Sequence, residues 1–364
     1  MMSTKLQLSA VLYGQEDLRL EKTPVPLPQK GEVQLAVKCV GICGSDLHYF
    51  EEGRLNKFVV KEPLILGHEV SGTVKAVGEG VTNLIVGDRV AVEPGVPCRR
   101  CEFCMEGKYN LCPNRHFCGA PPVGGAMRPV ICHPAEFCYK LPDHVTFEEG
   151  MLMEPLAVAV HACARAEIKP GSSLLITGAG PIGIMVLIAA KAMGASNICV
   201  TDLVQSRVDF AKGMGASHTV LVKADDDIEV TAAKVSHILG CGHVQAAVDT
   251  SGAESAVQLA ILVTKPGRIV ATVGLGPANI AIPLNQVTFK QIDLRGCRTY
   301  CNNQHEVLNL VASGQVDIKP LVSHRFPLDQ ALEAFDVARG RQGMKCVLQC
   351  SEPELNGTVL QNGH

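Results

Sequence analysis

The chain has 364 residues, 47% hydrophobic and 19% charged, which is enough apolar material for a large core shared by two domains and excludes wholesale disorder. Lys and Arg number 33 against 36 Asp and Glu, a formal charge of -3, so no basic excess exists to hold a polyanion and nucleic acid is not an expected partner. No apolar run reaches the roughly 18–20 residues that span a bilayer, and MMSTKLQLSA at the start has no basic-then-apolar export pattern, so a soluble cytosolic protein without a membrane partner is expected.

In chain order, Val33, Leu35, Val37 and Cys39 alternate with Gln34, Ala36 and Lys38, which predicts a half-buried strand over 32–40. Turns and short strands follow to about residue 143, punctuated by Gly67, Gly72, Gly78, Gly80, Gly87 and the Pro94-Gly95 pair, as in an irregular, mainly β domain. After Pro170 the pattern changes. A short apolar strand over 173–177 leads into Gly-Ala-Gly-Pro-Ile-Gly at 178–183, then a helix over 184–193 and a strand over 198–201, together a βαβ unit. Strands over 246–249 and 269–273, each preceded by helix-compatible sequence, extend it into a parallel sheet covered by helices. A helix over 306–312, a loop and strand over 320–326, a helix over 328–338 and a strand over 345–349 are expected to return to the first domain. The reading is therefore α/β, with a mainly β domain over 1–156, a dinucleotide-type domain over 157–296, a return over 297–350 and a polar, mobile tail over 351–364. The Asn356-Gly-Thr sequon in that tail has no meaning in a cytosolic protein.

Gly178-x-Gly180-x-x-Gly183 lies between strand and helix, where glycines let backbone amides approach a pyrophosphate and the helix N-terminus stabilises its charge. Asp202 follows the second strand 19 residues after Gly183, placed to bind a ribose diol and to repel a 2'-phosphate, which favours NAD over NADP. Arg207 either flanks that ribose or is an ordinary exposed helix residue. Sixteen cysteines without an export signal argue for metal binding rather than disulfides. Cys98, Cys101, Cys104 and Cys112 are spaced Cys-x2-Cys-x2-Cys-x7-Cys, and four thiolates so close fill a tetrahedral zinc completely, leaving a structural site with no open position. A dispersed second set is Cys43 after the first strand, His68 and Glu69 together, and Glu154 before Pro155. Each has a bland reading as a core or surface group. Together they make a three-ligand zinc site with one position open for water or substrate.

Gly67-His-Glu-Val-Ser-Gly72, five residues, Gly78, two residues and Val81 resemble the zinc signature of the medium-chain alcohol dehydrogenase family, and the cysteine lobe and glycine loop follow in that family's order. Within it, Gly-Ile-Cys-Gly-Ser-Asp-Leu-His-Tyr at 41–49, Tyr109-Asn-Leu-Cys, Phe137-Cys-Tyr-Lys-Leu-Pro-Asp, Val145-Thr-Phe-Glu-Glu-Gly, Glu154-Pro-Leu, Thr299-Tyr-Cys-Asn and His324-Arg-Phe-Pro-Leu resemble the animal sorbitol (polyol) dehydrogenase branch. The resemblance implies a GroES-like catalytic domain, a Rossmann domain of doubly wound parallel sheet, an active site between them and a homotetramer. It implies that Cys43, His68 and Glu69 hold a catalytic zinc, with Glu154 holding a water or entering the metal's shell, and that Tyr49, Tyr300 and the neighbouring Thr299 face substrate hydroxyls. It assigns the cofactor to Ile182, Asp202 and Arg207 and to the backbone of Val273, Gly274 and Leu275 and of Cys297, Arg298 and Thr299.

The expected reaction is hydride transfer between a polyol and its ketose, with NAD and two zinc ions, one catalytic and one structural. Ser45 and His48 would line a proton relay, although a surface role fits His48 equally. Thr299 stands where the branch typically has an arginine that binds polyol hydroxyls, the nearest arginine being Arg298, and all four lobe cysteines are present although many vertebrate members lack them. The stretch over 121–134 is also less polar than in the branch. The rival readings are a zinc dehydrogenase of another secondary alcohol, such as threonine or a simple alcohol, and a non-catalytic protein of the same fold. Retention of Cys43, His68, Glu69 and Glu154 speaks against the second.

Overall fold

The computed structural model describes residues 5–350 apart from Cys241, so the tail and its sequon lie outside the described residues. The first predicted strand runs Glu32–Gly41 at the centre of a seven-stranded mixed sheet. Glu69–Val77, Arg89–Val92 and Cys138–Lys140 lie to one side, Lys345–Gln349 and Val322–Pro327 to the other, and Val130–Pro134 pairs with its first half. The predicted return of the chain is thus an inserted strand: Lys345–Gln349 joins the sheet antiparallel, Val347 opposite Gly41 and Leu348 opposite Val40.

Six parallel strands make the second sheet, in the order His218–Leu221, Asn197–Asp202, Ser173–Thr177, Val244–Asp249, Thr264–Thr272 and Asp293–Gly296. Numbered along the chain this is 3-2-1-4-5-6, the doubly wound order in which the crevice opens beside the first strand, at its C-terminal end. Gly178–Gly183 lies there. Pro181 opens the helix Pro181–Ala192 at its first position, where a missing N–H costs nothing. Gly183 has no alternative, because a Cβ there would stand 1.9 Å from the Gly178 carbonyl oxygen.

Two longer helices escape the sequence reading. Gly44–Glu52 falls in the stretch expected to hold only turns and short strands, and is capped by Cys43, whose backbone N–H donates to Asp46 Oδ2 at 2.9 Å. Phe147–Arg165, the longest, carries Gly150 and Pro155 inside it and is buried nearly all round, so it lacks the polar stripe that reveals a surface helix. Thr146 and Glu149 start it with reciprocal bonds, Glu149 N to Thr146 Oγ1 at 3.2 Å and Thr146 N to Glu149 Oε2 at 2.8 Å. This helix crosses the 156/157 position without a break and packs on both sheets, in one apolar core that runs from Cys39 and Ala91 to Leu174, Val200 and Val248. No helix among the described residues is long and apolar enough to cross a membrane.

Candidate active site

Three strand ends converge at the junction of the two sheets. Cys43 lies two residues past Glu32–Gly41, Glu69 begins Glu69–Val77 after His68, and Lys345 begins Lys345–Gln349. One ligand atom from each of Cys43, His68 and Glu69 lies within 4.8 Å of the others. His68 and Glu69 are buried, and Cys43 faces the cleft. Asp46, fully buried, accepts from Gly67 N at 3.1 Å and sits 3.6 Å from His68 Nδ1, which leaves Nε2 as the nitrogen free for a metal. Burial alone would depress the His68 pKa, but Asp46 and Cys43 outweigh it and raise it well above the ordinary value.

Glu69 is divided between two tasks. Oε1 accepts from the buried Lys345 ammonium at 2.7 Å, which also donates to the Ile42 carbonyl at 3.2 Å. Oε2 is buried and has no hydrogen-bond partner. A bare carboxylate oxygen costs several kcal/mol unless a cation meets it, and here it stands among one thiol and one imidazole, a donor set that suits zinc. The residues therefore fit the metal. Glu154 is not one of the trio, although it is buried beside them; burial pushes its carboxyl up to about 7, with Glu69 adding to the shift and His68 and Lys345 opposing it.

The four-cysteine cluster is also assembled, with one sulfur from each of Cys98, Cys101, Cys104 and Cys112 within 4.8 Å of the rest and Cys101 and Cys104 sulfurs 3.4 Å apart. Backbone amides of Arg100 and Cys101, with Cys112, pull Cys98 down to about 6, whereas Cys104 is pushed up to about 12 by desolvation and by Cys101. Four sulfurs at this spacing ionise together only around a cation, which fits a closed zinc site. The lobe grips the chain after the parallel sheet: Asn110 Nδ2 donates to Arg298 O at 2.9 Å, Asn302 N to Tyr109 Oη at 2.8 Å, and Asn302 Nδ2 to Gly107 O at 2.6 Å. Tyr109 and Tyr139 in turn donate to the buried Glu93 carboxylate at 2.7 and 2.8 Å.

A cleft of about 570 Å³ runs from Cys43 and Glu69 along the glycine loop. Gly178, Gly180, Ile182, Asp202 and Arg207 line it, as do His48 and Lys345. Asp202 accepts from Ala179 N at 2.7 Å and Val204 N at 2.9 Å, which ties the second strand to the loop. Arg207 lies at the cleft, its guanidinium 3.7 Å from where a Cβ on Gly180 would stand, and burial lowers its pKa. His48 is bound to Glu52 Oε1 at 2.9 Å on the cleft side of its helix, and Ser45 is half-buried in the first turn.

Other expected residues lie outside this lining. Val273 and Gly274 donate to the Asp249 carbonyl, Leu275 is exposed, Cys297 N donates to Thr272 O, and Arg298 points to solvent. Tyr49 and Tyr300 are buried. Tyr49, raised to about 12 by burial, lies within electrostatic reach of His68, and the Tyr300 hydroxyl sits by Glu154 without a well-formed hydrogen bond. Thr299 accepts from Arg115 Nη1 at 2.8 Å. Sequence reasoning missed Asp46, Lys345 and Arg115. Asp46 was findable, three residues after Cys43 at capping-box spacing; a lysine opening a strand and an arginine in a loop carry no such signal.

Two family models match this chain, an alcohol dehydrogenase GroES-like domain over residues 29–143 and a zinc-binding dehydrogenase over residues 181–313. The chain belongs to the zinc-containing medium-chain alcohol dehydrogenase family. Among its relatives, the sorbitol dehydrogenase of Gallus gallus is 47% identical over 98% of this chain and 100% of its own length. Of solved structures, an Escherichia coli oxidoreductase of unknown specificity superposes with a TM-score of 0.89 at 34% identity, over 96% of this chain and 100% of its own. The 2R,3R-butanediol dehydrogenase of Bacillus subtilis does so with a TM-score of 0.85 at 31% identity, over 94% and 99%.

Proposed function

We propose that this chain interconverts a polyol of the sorbitol or xylitol type and its ketose, passing hydride to and from NAD at a zinc site. The observation that carries the reading is the Cys43, His68 and Glu69 trio, with the unpartnered Glu69 oxygen, at one end of the cleft that the glycine loop lines. The likeness to sorbitol dehydrogenase supports the substrate class.

When bound, zinc supplies Lewis acidity to a hydroxyl and the nicotinamide supplies a hydride acceptor. The trio holds the metal, and Lys345 offsets the Glu69 charge so that the site does not carry two uncompensated anions. Glu154, poised near neutral pH by burial, takes the hydroxyl proton or holds the water beside the metal. Ser45 and His48 with Glu52 offer the proton a way out to solvent, and Tyr49, Thr299 and Tyr300 meet the remaining hydroxyls. Asp202 and Arg207 hold the adenosine end, Asp202 favouring NAD, while the likeness to the family assigns further cofactor contacts to the backbone of Val273, Gly274, Leu275, Cys297 and Arg298. Cys98, Cys101, Cys104 and Cys112 hold a second, structural zinc. On this reading residues 1–156 and 297–350 form the metal side and 157–296 the cofactor side.

Oxidation of sorbitol and xylitol followed by NADH absorbance tests the reading. Cys43→Ser is expected to lower turnover by about 10³-fold or more while NAD affinity stays within about 2-fold, since the cofactor contacts lie elsewhere. Normal turnover in that variant would refute it. A second reading, oxidation of a simpler secondary alcohol, is favoured by Thr299 and by the butanediol dehydrogenase likeness, and the same assay with butanediol and threonine separates the two. We further propose a homotetramer, because Asp293–Gly296 is an edge strand flanked by exposed Leu284, Phe289 and Leu294. A cytoplasmic location is supported by the cysteines of the described residues, none of which is paired in a disulfide.

A further inference from the structure

Arg115 lies three residues past Cys112, and a guanidinium offers five N–H donors. Among the described residues it makes a single hydrogen bond, Nη1 to Thr299 Oγ1 at 2.8 Å, and no ion pair. Its plane stacks over Phe117, Cζ 4.9 Å from the ring centroid, and the Phe117 ring packs 5.3 Å from that of His68. The chain of contact therefore runs from the metal ligand to a half-buried cation. Burial lowers the Arg115 pKa, with Arg298 adding to the shift and Tyr300, Glu154 and Glu93 opposing it.

Thr299 is held in a left-handed conformation, φ 45°, which a β-branched residue adopts only when its surroundings over-determine it. Arg115 from one side and the Asn110 bond to the Arg298 carbonyl from the other do so. A half-buried guanidinium with most donors unspent, bonded to the Thr299 hydroxyl and reaching His68 through Phe117, is built to receive oxygen acceptors.

We infer that Arg115 binds the hydroxyls of the substrate beyond the reacting carbon, and so selects a polyol over a monohydroxy secondary alcohol. The inference rests on the polyol reading above and names the residue that enforces it. Thr299 Oγ1 marks the point that guanidinium reaches, so an arginine placed at 299 would carry its donors into the same space.

The experiment compares the full-length enzyme with Arg115→Met, which keeps the apolar stem over Phe117, and with Arg115→Met/Thr299→Arg. Steady-state rates are measured with sorbitol and with 2-butanol at saturating NAD, alongside zinc content and NAD affinity. Arg115→Met is expected to raise KM for sorbitol about 10- to 100-fold, with kcat for sorbitol and kcat/KM for 2-butanol within about 3-fold of the parent and zinc unchanged. The double variant is expected to recover at least part of the lost sorbitol KM. An unchanged sorbitol KM, or equal losses on both alcohols together with zinc loss, overturns the inference. A parent enzyme inactive on sorbitol and xylitol overturns the polyol reading itself, which the variants play no part in deciding.

Discussion

Gly41 ends its strand where there is no room for a methyl group: a Cβ would stand 2.1 Å from Glu69 Oε2 and 2.7 Å from Met151 Sδ. Neither neighbour has space to retreat, because Glu69 is tied through its other oxygen to Lys345 and all three side chains are buried. Gly41→Ala is expected to swing the Glu69 carboxylate away from Cys43 and His68. Zinc affinity at that site should fall about 10- to 100-fold, as for a disturbed ligand orientation, with turnover falling in step. Metal analysis after dialysis against a weak chelator checks it, since the four-cysteine zinc should stay while the other is lost. Full retention of both ions would contradict the geometry.

At the scale of elements, the cysteine lobe has the short helical turns Glu102–Met105 and Tyr109–Leu111 and little apolar core, so on the proposed function its shape depends on the zinc its four sulfurs would hold. What it positions is the segment after the parallel sheet, through Asn110, Tyr109, Gly107 and Arg115. Cys104→Ser is expected to remove one zinc per chain and to raise KM for the polyol about tenfold, because Thr299 and Tyr300 lose their anchorage, while NAD affinity is unaffected. Kinetics with zinc analysis reads this out. A variant that loses the zinc but keeps its KM would show that the lobe does not position the substrate side.

For the whole molecule, buried titratable groups set the response to acid, and His133 and Glu154 pull it in opposite directions. His133, 5% exposed, has Nε2 2.8 Å from the Glu93 carbonyl oxygen, and burial depresses its pKa to about 4 from an unfolded value of about 6.5. Between those values the unfolded chain binds the proton and the folded chain does not, so the His133 contribution to stability rises with pH there, against the opposite contribution of Glu154, whose carboxyl is raised to about 7. The contribution is complete above about pH 6.5 and is lost as pH falls toward 4, by about 3 kcal/mol in all. His133→Gln should lower the slope of that part of the curve relative to the parent, with denaturant midpoints recorded from pH 7 to 4 for both proteins as the measurement. An unchanged slope would mean that another group sets the acid limb. The helix Phe147–Arg165 makes this loss global, since the core it runs through joins the two sheets.

Short-range spacing was enough to read the four cysteines, which span fifteen residues, and the glycine loop, whose strand, turn and helix are consecutive in the chain. The period-two alternation before Gly41 and the βαβ rhythm after Pro170 were legible for the same reason: each depends on neighbours within a few residues. The buried helix Phe147–Arg165 was not, because a helix covered on every side has no periodicity to betray it. Nor was the pairing of Glu69 with Lys345, 276 residues away, or the reach of Arg115 to Thr299, 184 residues on. Those meetings depend on strand register, Gly41 lying opposite both Glu69 and Val347, and on a lobe folded around its own sulfurs. No local preference encodes a register between distant strands; it follows from packing the complete sheet, and with it the charge balance and shape of the site.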